Sequence, residues 1–288
     1  MHHLPNPTIQ TLLLNLTRPE IHHFLHTIST TLISFSTTPE RQHQPQPSTI
    51  ARPNGQRTLF RPFTSPDNIG AKLVVEPAPN STTGKREHPI QGLLIILDPL
   101  GNPTGILSAE EITGYRTSMS TMIPFSWRKH VSNIVIFGAG MQALWHTRLI
   151  LGLRGEEPLV SAIGSWLPEM IELDPELLRG VVCGEEGVNP LTGERGRGVV
   201  LVDDREYAMH GCGEVVQSGL AGEDLAEVGE VLAVKSGRIQ VSGDEDVRRV
   251  EGFMEEGLVV YESVGVGLTD LTAGREVLRI YQEKQGNL

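Results

Sequence analysis

Hydrophobic positions in the first half of the chain predict a helix, a sheet and a second helix. Apolar residues from Ile21 to Phe35 recur at helical spacing, and an irregular connection rich in Pro and Gln follows over residues 37–56. Three apolar runs, separated by Pro, Asn and Gly clusters, then predict antiparallel strands. These strands cover residues 58–63, 71–76 and 92–98. Ser108 lies three residues before Glu111, which is a capping box and predicts the start of the second helix.

From residue 133 onward the pattern changes to strands that alternate with helices. Residues 134–137 are an all-apolar strand that runs directly into a helical pattern, and further strands are predicted at residues 159–165 and 198–204. An acidic polar region over residues 223–256 is interpreted as solvated surface. The last helix is marked by Leu268, Leu271, Val277, Leu278 and Tyr281. The second half therefore predicts an α/β domain.

The turn after the 134–137 strand matches a dinucleotide-binding pattern, with Gly138, Gly140 and Ala143 in the Gly-x-Gly-x-x-Gly/Ala spacing. The first glycine permits the tight turn, the second lets the backbone approach a pyrophosphate, and the small third residue allows close packing of helix and sheet. The helix amino terminus offers N–H groups to phosphate. The alternative is a tight strand-to-helix turn without a ligand.

The helix after this turn is predicted to lie on the sheet along one apolar stripe. The stripe consists of Ala143, Leu144, Thr147, Ile150 and Leu151. A complete nucleotide domain also needs an acid at the end of the next strand, about 20 residues on, to hold the adenosine ribose. Here the next strand ends in Gly164, Ser165 and Trp166. The expected acid is therefore missing.

Composition and charge limit the classes of partner. A net charge of −11 and an isoelectric point near 5.4, without a cluster of Lys and Arg, argue against nucleic acid as a partner. The apolar runs are shorter than the roughly 20 residues of a membrane span, and the amino terminus lacks the pattern of a leader, so we predict a cytoplasmic protein without a membrane segment. Two cysteines without Cys-x-x-Cys spacing, and histidines at 22, 23 and 26 without a third ligand, predict no metal site.

Several runs together carry a resemblance to a known family. They are ILDPLGNPTGILSAEEITGYRTSMS, NIVIFGAGMQA, AIGSWLPEMIELDPELLRG, VVLVDDREY, GEVVQSG and SVGVGLTDL. Over nearly its whole length, and in register, the chain resembles the ornithine cyclodeaminase/mu-crystallin family. The resemblance implies a homodimer built through a β-rich substrate domain, a Rossmann domain that binds NAD or NADP, and chemistry on a small amino or imino acid.

The resemblance also implies site residues. Lys72 matches the lysine that meets the substrate carboxylate, and Arg116 matches the arginine near substrate and nicotinamide. These two are the predicted catalytic residues. The predicted cofactor-binding residues are Gly138, Ala139, Gly140, Met141, Gln142, Gly164 and Ser165. Taken without the resemblance, Lys72 is a surface strand lysine and Arg116 a helix arginine in an ion pair.

The chain departs from the family pattern in three places. A second substrate arginine of the family falls near Ser48, so that a neighbour such as Arg52 would have to replace it. Trp166 stands where ornithine cyclodeaminases carry a catalytic aspartate, and an indole cannot exchange protons with an amine as a carboxylate does. Only about a dozen residues separate Leu151 from Ile163, although each βα repeat takes roughly 30 residues. More than one repeat is therefore predicted to be absent.

The predicted fold is α/β, with a truncated Rossmann-like dinucleotide-binding domain over residues 129–261. An α+β substrate and dimerisation domain takes residues 1–128 and 262–288. The predicted function is NAD(P)-dependent amino- or imino-acid metabolism, with imine or ketimine reduction or amino-acid oxidation favoured over ornithine cyclodeamination. Two alternatives remain: a non-catalytic dimeric ligand-binding protein, and an inactive product of the deletion, such as a truncated isoform or a mis-joined gene model.

Overall fold

The computed structural model describes residues 1–129, 136, 138, 140–153, 159–162, 168–184, 187–241 and 243–286, with the backbone alone for 159–162. Two compact units are present. The first takes residues 1–24, 39–116 and 267–288, and the second takes residues 25–38 and 117–266. In the described helices, no segment combines the length and the apolar character that crossing a membrane requires. The domain limits given by the sequence stay a prediction.

The described part of the chain contains both helices and strands. The helices are α1 (Asn6–Leu14), α2 (Arg18–Thr37), α3 (Ala109–Phe125), α4 (Met141–Leu153), α5 (Pro175–Cys183), α6 (Arg205–Gly211), α7 (Gly213–Ser218), α8 (Val228–Lys235), α9 (Asp244–Glu256) and α10 (Gly267–Gly286). The strands are β1 (His2–Leu4), β2 (Ser48–Ala51), β3 (Arg57–Thr64), β4 (Ile69–Glu76), β5 (Gln91–Leu97), β6 (Pro103–Ser108), β7 (Leu159–Ala162), β8 (Val200–Val202), β9 (Leu225–Glu227) and β10 (Val259–Glu262).

The first unit is built on a six-stranded sheet in the order β1-β6-β5-β4-β3-β2. Strands β2 to β6 pair antiparallel with one another, and of these the apolar runs and turn clusters predicted β3, β4 and β5. The edge strand β1 pairs parallel with β6, and the sequence had not indicated it. The connection over residues 37–56, predicted to be irregular, contains a 3₁₀ turn and β2. Its Ser48–Ala51 segment is extended because it pairs with β3.

One face of this sheet is covered by α10, which contacts β3, β4 and β5 and also packs on α1. Gly274 allows the close approach, because a Cβ at that position would lie 2.4 Å from Leu94 Cδ2 and 2.8 Å from Ile96 Cδ1. Leu94 and Ile96 are fully buried in β5. The inner face of the sheet and the apolar side of α10 therefore form the core of the first unit.

The opposite face of the sheet carries apolar side chains that remain exposed. Pairing of Phe60 with Leu73 and of Leu73 with Leu93 places these three residues side by side across the strands. The exposed members of the face are Ile50, Phe60, Ile69, Val75 and Leu93, and each is at least 37% exposed. We call these five residues the outer apolar face.

The second unit contains a parallel four-stranded sheet in the order β7-β10-β8-β9. Strands β8 and β10 are buried along their whole length, as interior strands of a parallel sheet are. Helices α5 and α7 pack together, and their apolar side chains join those of β8 and β10 in one core. This parallel sheet confirms the predicted α/β class with a Rossmann-like domain.

Two predictions about the second unit were wrong in detail. The buried stripe of α4 is Trp145, His146, Leu149 and Leu153, whereas Leu144 and Leu151 of the predicted stripe are about half exposed or more. The buried row is therefore Trp145, Leu149 and Leu153, spaced four residues apart. The row that contains Leu144 and Leu151 stays exposed. The acidic region over residues 223–256 is not all solvated surface, because β9 is buried and α8 packs against it.

Candidate functional site

The strand pairing of the first unit brings two basic side chains together on its inner face. Lys72 of β4 lies directly opposite Arg61 of β3, and directly opposite residues of an antiparallel pair point to the same side. On its other side, Lys72 is paired with the buried Leu94 of β5. Both basic side chains are buried, Lys72 at 2% and Arg61 at 5% exposure. A buried charge of this kind requires a partner.

That partner is Asp270, in the first turn of α10. Its carboxylate is fully buried and lies 2.7 Å from Lys72 Nζ. Arg116 donates from Nε to Oδ1 of Asp270 at 2.9 Å, and Arg61 Nη1 lies 3.7 Å from Oδ2. We call Arg61, Lys72, Arg116 and Asp270 the Asp270 cluster. It consists of three bases and one acid, all within the first unit.

The cluster changes the proton affinity of its members. Burial lowers the pKa of Lys72 to about 7; Arg116 and Arg61 act in the same direction, and the pull of Asp270 opposes them. Burial acts to raise the pKa of Asp270, but Arg116, Lys72 and Arg61 together lower it to about 2. At neutral pH, Asp270 is therefore ionised and Lys72 lies near its midpoint.

The structure thus brings the two predicted catalytic residues, Lys72 and Arg116, to one carboxylate. Arg52, which the sequence offered as a replacement for the family's second arginine, lies in an exposed turn after β2, and Ser48 is exposed as well. The buried arginine of strand β3 is Arg61. Sequence reasoning missed Arg61 and Asp270. Two signals could have found them: Asp270 lies in the apolar stripe of the last helix, and Arg61 is adjacent to the exposed Phe60, so it points to the opposite, buried face of the strand.

The predicted nucleotide turn lies in the second unit, just before α4. Gly138 has a φ of 98°, a conformation that favours glycine, and α4 begins at Met141. The first described hydrogen bond of this helix runs from Leu144 N–H to Gly140 C=O, at 3.1 Å. The N–H groups before it have no partner within the helix itself. A Cβ added at Gly138 or Gly140 would meet no atom of the described residues within 4 Å.

These features fit a pyrophosphate, which needs open space beside the glycines and unpaired N–H groups at the helix start. Met141 is exposed and Gln142 half-buried at that start. Ala139, Gly164 and Ser165, also predicted to bind cofactor, lie outside the described residues.

Two aspartates after β8 have clear structural roles. Oxygens of the buried Asp203 accept hydrogen bonds from the Ser263 hydroxyl at 2.8 Å and from the backbone N–H groups of Val264 and Gly265 at 3.0 and 2.8 Å. Asp204 caps α6 by accepting from Tyr207 N–H. The acidic pair thus fixes the loop after β10 and begins the next helix.

Comparison with known proteins gives one partial relative in sequence. No protein-family model matches the chain. The curated Saccharomyces cerevisiae protein described as uncharacterized protein YGL159W is 25% identical over 128 residues, which are 44% of this chain and 30% of that protein. The match therefore spans less than a third of the length of that relative.

Solved structures match the chain over nearly its whole length. A probable ornithine cyclodeaminase from Bordetella pertussis is 18% identical with a TM-score of 0.68, covering 99% of this chain and 98% of that one. An archaeal alanine dehydrogenase dimer with bound NAD is 16% identical with a TM-score of 0.69, covering 98% and 96%. The Δ1-pyrroline-2-carboxylate reductase of Thermococcus litoralis, in complex with NADH and L-proline, is 13% identical with a TM-score of 0.66, covering 99% and 98%.

Proposed function

We propose that this chain, which has the fold of the ornithine cyclodeaminase/mu-crystallin family, is an NAD(P)-dependent enzyme that reduces the imine of a small imino acid or oxidises the corresponding amino acid. The fold itself was predicted by the resemblance and is confirmed. The observation that carries the proposal is the Asp270 cluster, where three buried bases face one carboxylate.

The cluster suits an α-carboxylate because of its charge. With Lys72 protonated, Arg61, Lys72 and Arg116 carry three positive charges against the single negative charge of Asp270. Buried charge must be balanced, and a carboxylate bound to guanidinium and ammonium groups makes strong, charge-assisted hydrogen bonds. In this proposal the substrate carboxylate binds to these bases, and Asp270 holds the bases in place.

Lys72 is the group best suited to proton transfer. Because burial brings its pKa to about 7, Lys72 can both hold and release a proton near neutral pH. Reduction of an imine requires a proton at nitrogen and a hydride at carbon. We assign the proton to Lys72 Nζ, and bound NADH or NADPH supplies the hydride.

The cofactor is assigned to the glycine turn of the second unit. Gly138, Gly140 and the N–H groups at the start of α4 are the residues that would hold the pyrophosphate, with Met141 and Gln142 beside it. The solved structures of similar fold include one with bound NAD and one with NADH. Ala139, Gly164 and Ser165 stay predicted members of this site.

A homodimer is the proposed assembly, and the outer apolar face is its proposed interface. Monomeric proteins rarely leave a contiguous apolar sheet face in water, and such a face marks an interaction site. The archaeal alanine dehydrogenase of similar fold is described as a dimer. A second copy of this chain would cover Phe60, Leu93 and their neighbours.

The uncovered row of α4 favours a second candidate function. Leu144 and Leu151 are exposed where the sequence predicted a covered stripe. The sequence also predicts that βα repeats are absent between α4 and β7. A chain that keeps the Asp270 cluster but not a working nucleotide site would bind amino acids without turnover. This is the non-catalytic alternative.

One assay separates these possibilities. Oxidation of NADH and NADPH by the purified full chain is followed with a panel of cyclic and open-chain imino acids, and ammonia release from L-ornithine is measured in parallel. We expect imine-dependent oxidation of one nucleotide, at least a hundredfold loss in Lys72→Met, and no ammonia. Saturable imino-acid binding without oxidation would instead support the non-catalytic function, and ammonia release from ornithine would overturn the proposed reaction.

A further inference from the structure

A second cluster of ionisable groups lies in the second unit. Cys212 connects α6 to α7, Glu214 lies in the first turn of α7, and Glu262 is the last residue of β10. All three are essentially buried, at 0–1% exposure. One candidate ligand atom from each lies within 4.8 Å of the others. Buried carboxylates this close together are balanced either by a bound proton or by a cation.

The geometry has the spacing of metal ligands. Cys212 Sγ lies 3.2 Å from Glu214 Oε2 and 3.7 Å from Glu262 Oε2. A tetrahedral zinc ion with Zn–S and Zn–O bonds of ~2.3 and ~2.0 Å holds its sulfur and oxygen ligands about 3.5 Å apart. The two observed separations lie on either side of that value.

Glu262 supplies an independent indication of a missing ligand. Its second oxygen, Oε1, is buried and accepts no hydrogen bond within the part of the chain that the structure describes. The charges that act on this carboxylate from Glu214, Glu172 and Asp203 are all negative. An unsatisfied buried oxygen in a negative environment is what a bound cation would correct.

Glu214 is oriented toward the same point by the backbone. Its Oε1 accepts hydrogen bonds from the N–H groups of Glu172 and Leu173, the latter at 3.2 Å. This arrangement leaves Oε2 directed at Cys212. Fixing of a ligand by an outer hydrogen bond is a common feature of metal sites.

We infer that Cys212, Glu214 and Glu262 form a site for a divalent transition-metal ion, and that the ion is zinc. The sulfur ligand favours zinc over magnesium or calcium, which take oxygen ligands alone. Binding would displace the thiol proton of Cys212 and join the α6–α7 connection to the end of β10. This inference does not depend on the proposed enzymatic function.

The test uses cobalt, which replaces zinc and reports a thiolate ligand by its charge-transfer absorption. The full chain is produced in cobalt-supplemented medium, and its metal content and near-ultraviolet spectrum are measured. We expect one cobalt per chain with a thiolate band. The band should disappear in Cys212→Ser and persist in Cys183→Ser, which changes the exposed cysteine. Excess zinc should remove it from the wild-type protein.

A second variant guards against a folding defect in Cys212→Ser. Glu262→Gln keeps the shape of the side chain and removes its charge, so the folded variant should bind zinc at least tenfold more weakly. A metal-free wild-type protein would overturn the inference. Cobalt that binds without a thiolate band, for example at exposed histidines, would also overturn it. The same holds for a thiolate band that persists in Cys212→Ser.

Discussion

At the scale of single residues, Asp270 determines the character of the site. It is the acid on which Lys72, Arg61 and Arg116 converge, and it is fully buried. Its contribution to stability depends on ionisation. Because its folded pKa, about 2, lies below the ordinary value of 3.8, that contribution is complete above about pH 4 and is lost as pH falls through 2.

Asp270→Asn should therefore destabilise the protein strongly, since it leaves buried bases without their acid. We expect a loss of about 3–5 kcal/mol in the free energy of unfolding at pH 7, measured by urea denaturation. The matched control is Asp67→Asn, which breaks an exposed ion pair with Arg275 and should cost about 1 kcal/mol or less. Equal effects of the two substitutions would contradict the role given to Asp270.

Lys72 should couple substrate binding to proton uptake. Its pKa of about 7 leaves it mostly neutral at pH 8, and a bound carboxylate would raise that pKa. Calorimetric titration with an imino acid at pH 8, in two buffers of different ionisation enthalpy, should show uptake of a large fraction of one proton. Lys72→Met should abolish the uptake. A binding heat that is the same in both buffers would refute the coupling.

At the scale of elements, the sequence predicted what local patterns determine. Alternation and turn residues located β3, β4 and β5, and the Ser108–Glu111 capping box located α3. The buried row of α4 was not predictable, because Leu144 and Trp145 both belong to apolar rows and tertiary packing selects between them. The burial of Arg61 was hidden for a similar reason. From sequence alone, an arginine in a strand is expected to be exposed. The buried acid that pairs with Arg61 comes from α10, more than 200 positions away.

Close packing of α10 on β5 gives a prediction for Gly274. Gly274→Ala should cost about 1–3 kcal/mol of stability, because its Cβ would press on buried Leu94 and Ile96, even though alanine favours helix. Gly286→Ala, at the end of the same helix, should be almost neutral, because its Cβ would meet no atom within 4 Å in the part of the chain that the structure describes. Thermal unfolding of the two variants compares them directly. A stabilised Gly274→Ala would contradict the packing.

At the scale of the whole molecule, similarity of fold extends over nearly the full chain while sequence identity stays at 13–18%. Local motifs revealed the fold because the runs that carry the resemblance occur in register along the chain. The Asp270 cluster needed the structure, since its members come from β3, β4, α3 and α10 and are up to 209 positions apart. Because the nucleotide-binding domain is predicted to be truncated, binding of NAD(P) by this chain has to be measured directly.

The outer apolar face gives a prediction about assembly. The full chain should sediment as a dimer, and Phe60→Asp combined with Leu93→Asp should give a monomer, because both charges would be buried in the interface. Val247→Asp places the same charge at an exposed apolar residue of α9 and should leave the dimer intact. A wild-type monomer at micromolar concentration in analytical ultracentrifugation would refute the interface.

The central claim is that the Asp270 cluster binds the carboxylate of an amino or imino acid. It is tested most directly by calorimetric binding of pyrrole-2-carboxylate, a planar analogue of a cyclic imino acid, and of its uncharged carboxamide, with NAD⁺ or NADP⁺ present. We predict that the carboxylate binds about 10- to 100-fold more tightly, as loss of a charge-assisted hydrogen bond implies, and that Arg116→Gln removes most of this difference. Equal affinity for the two ligands, or binding of neither, would contradict the claim.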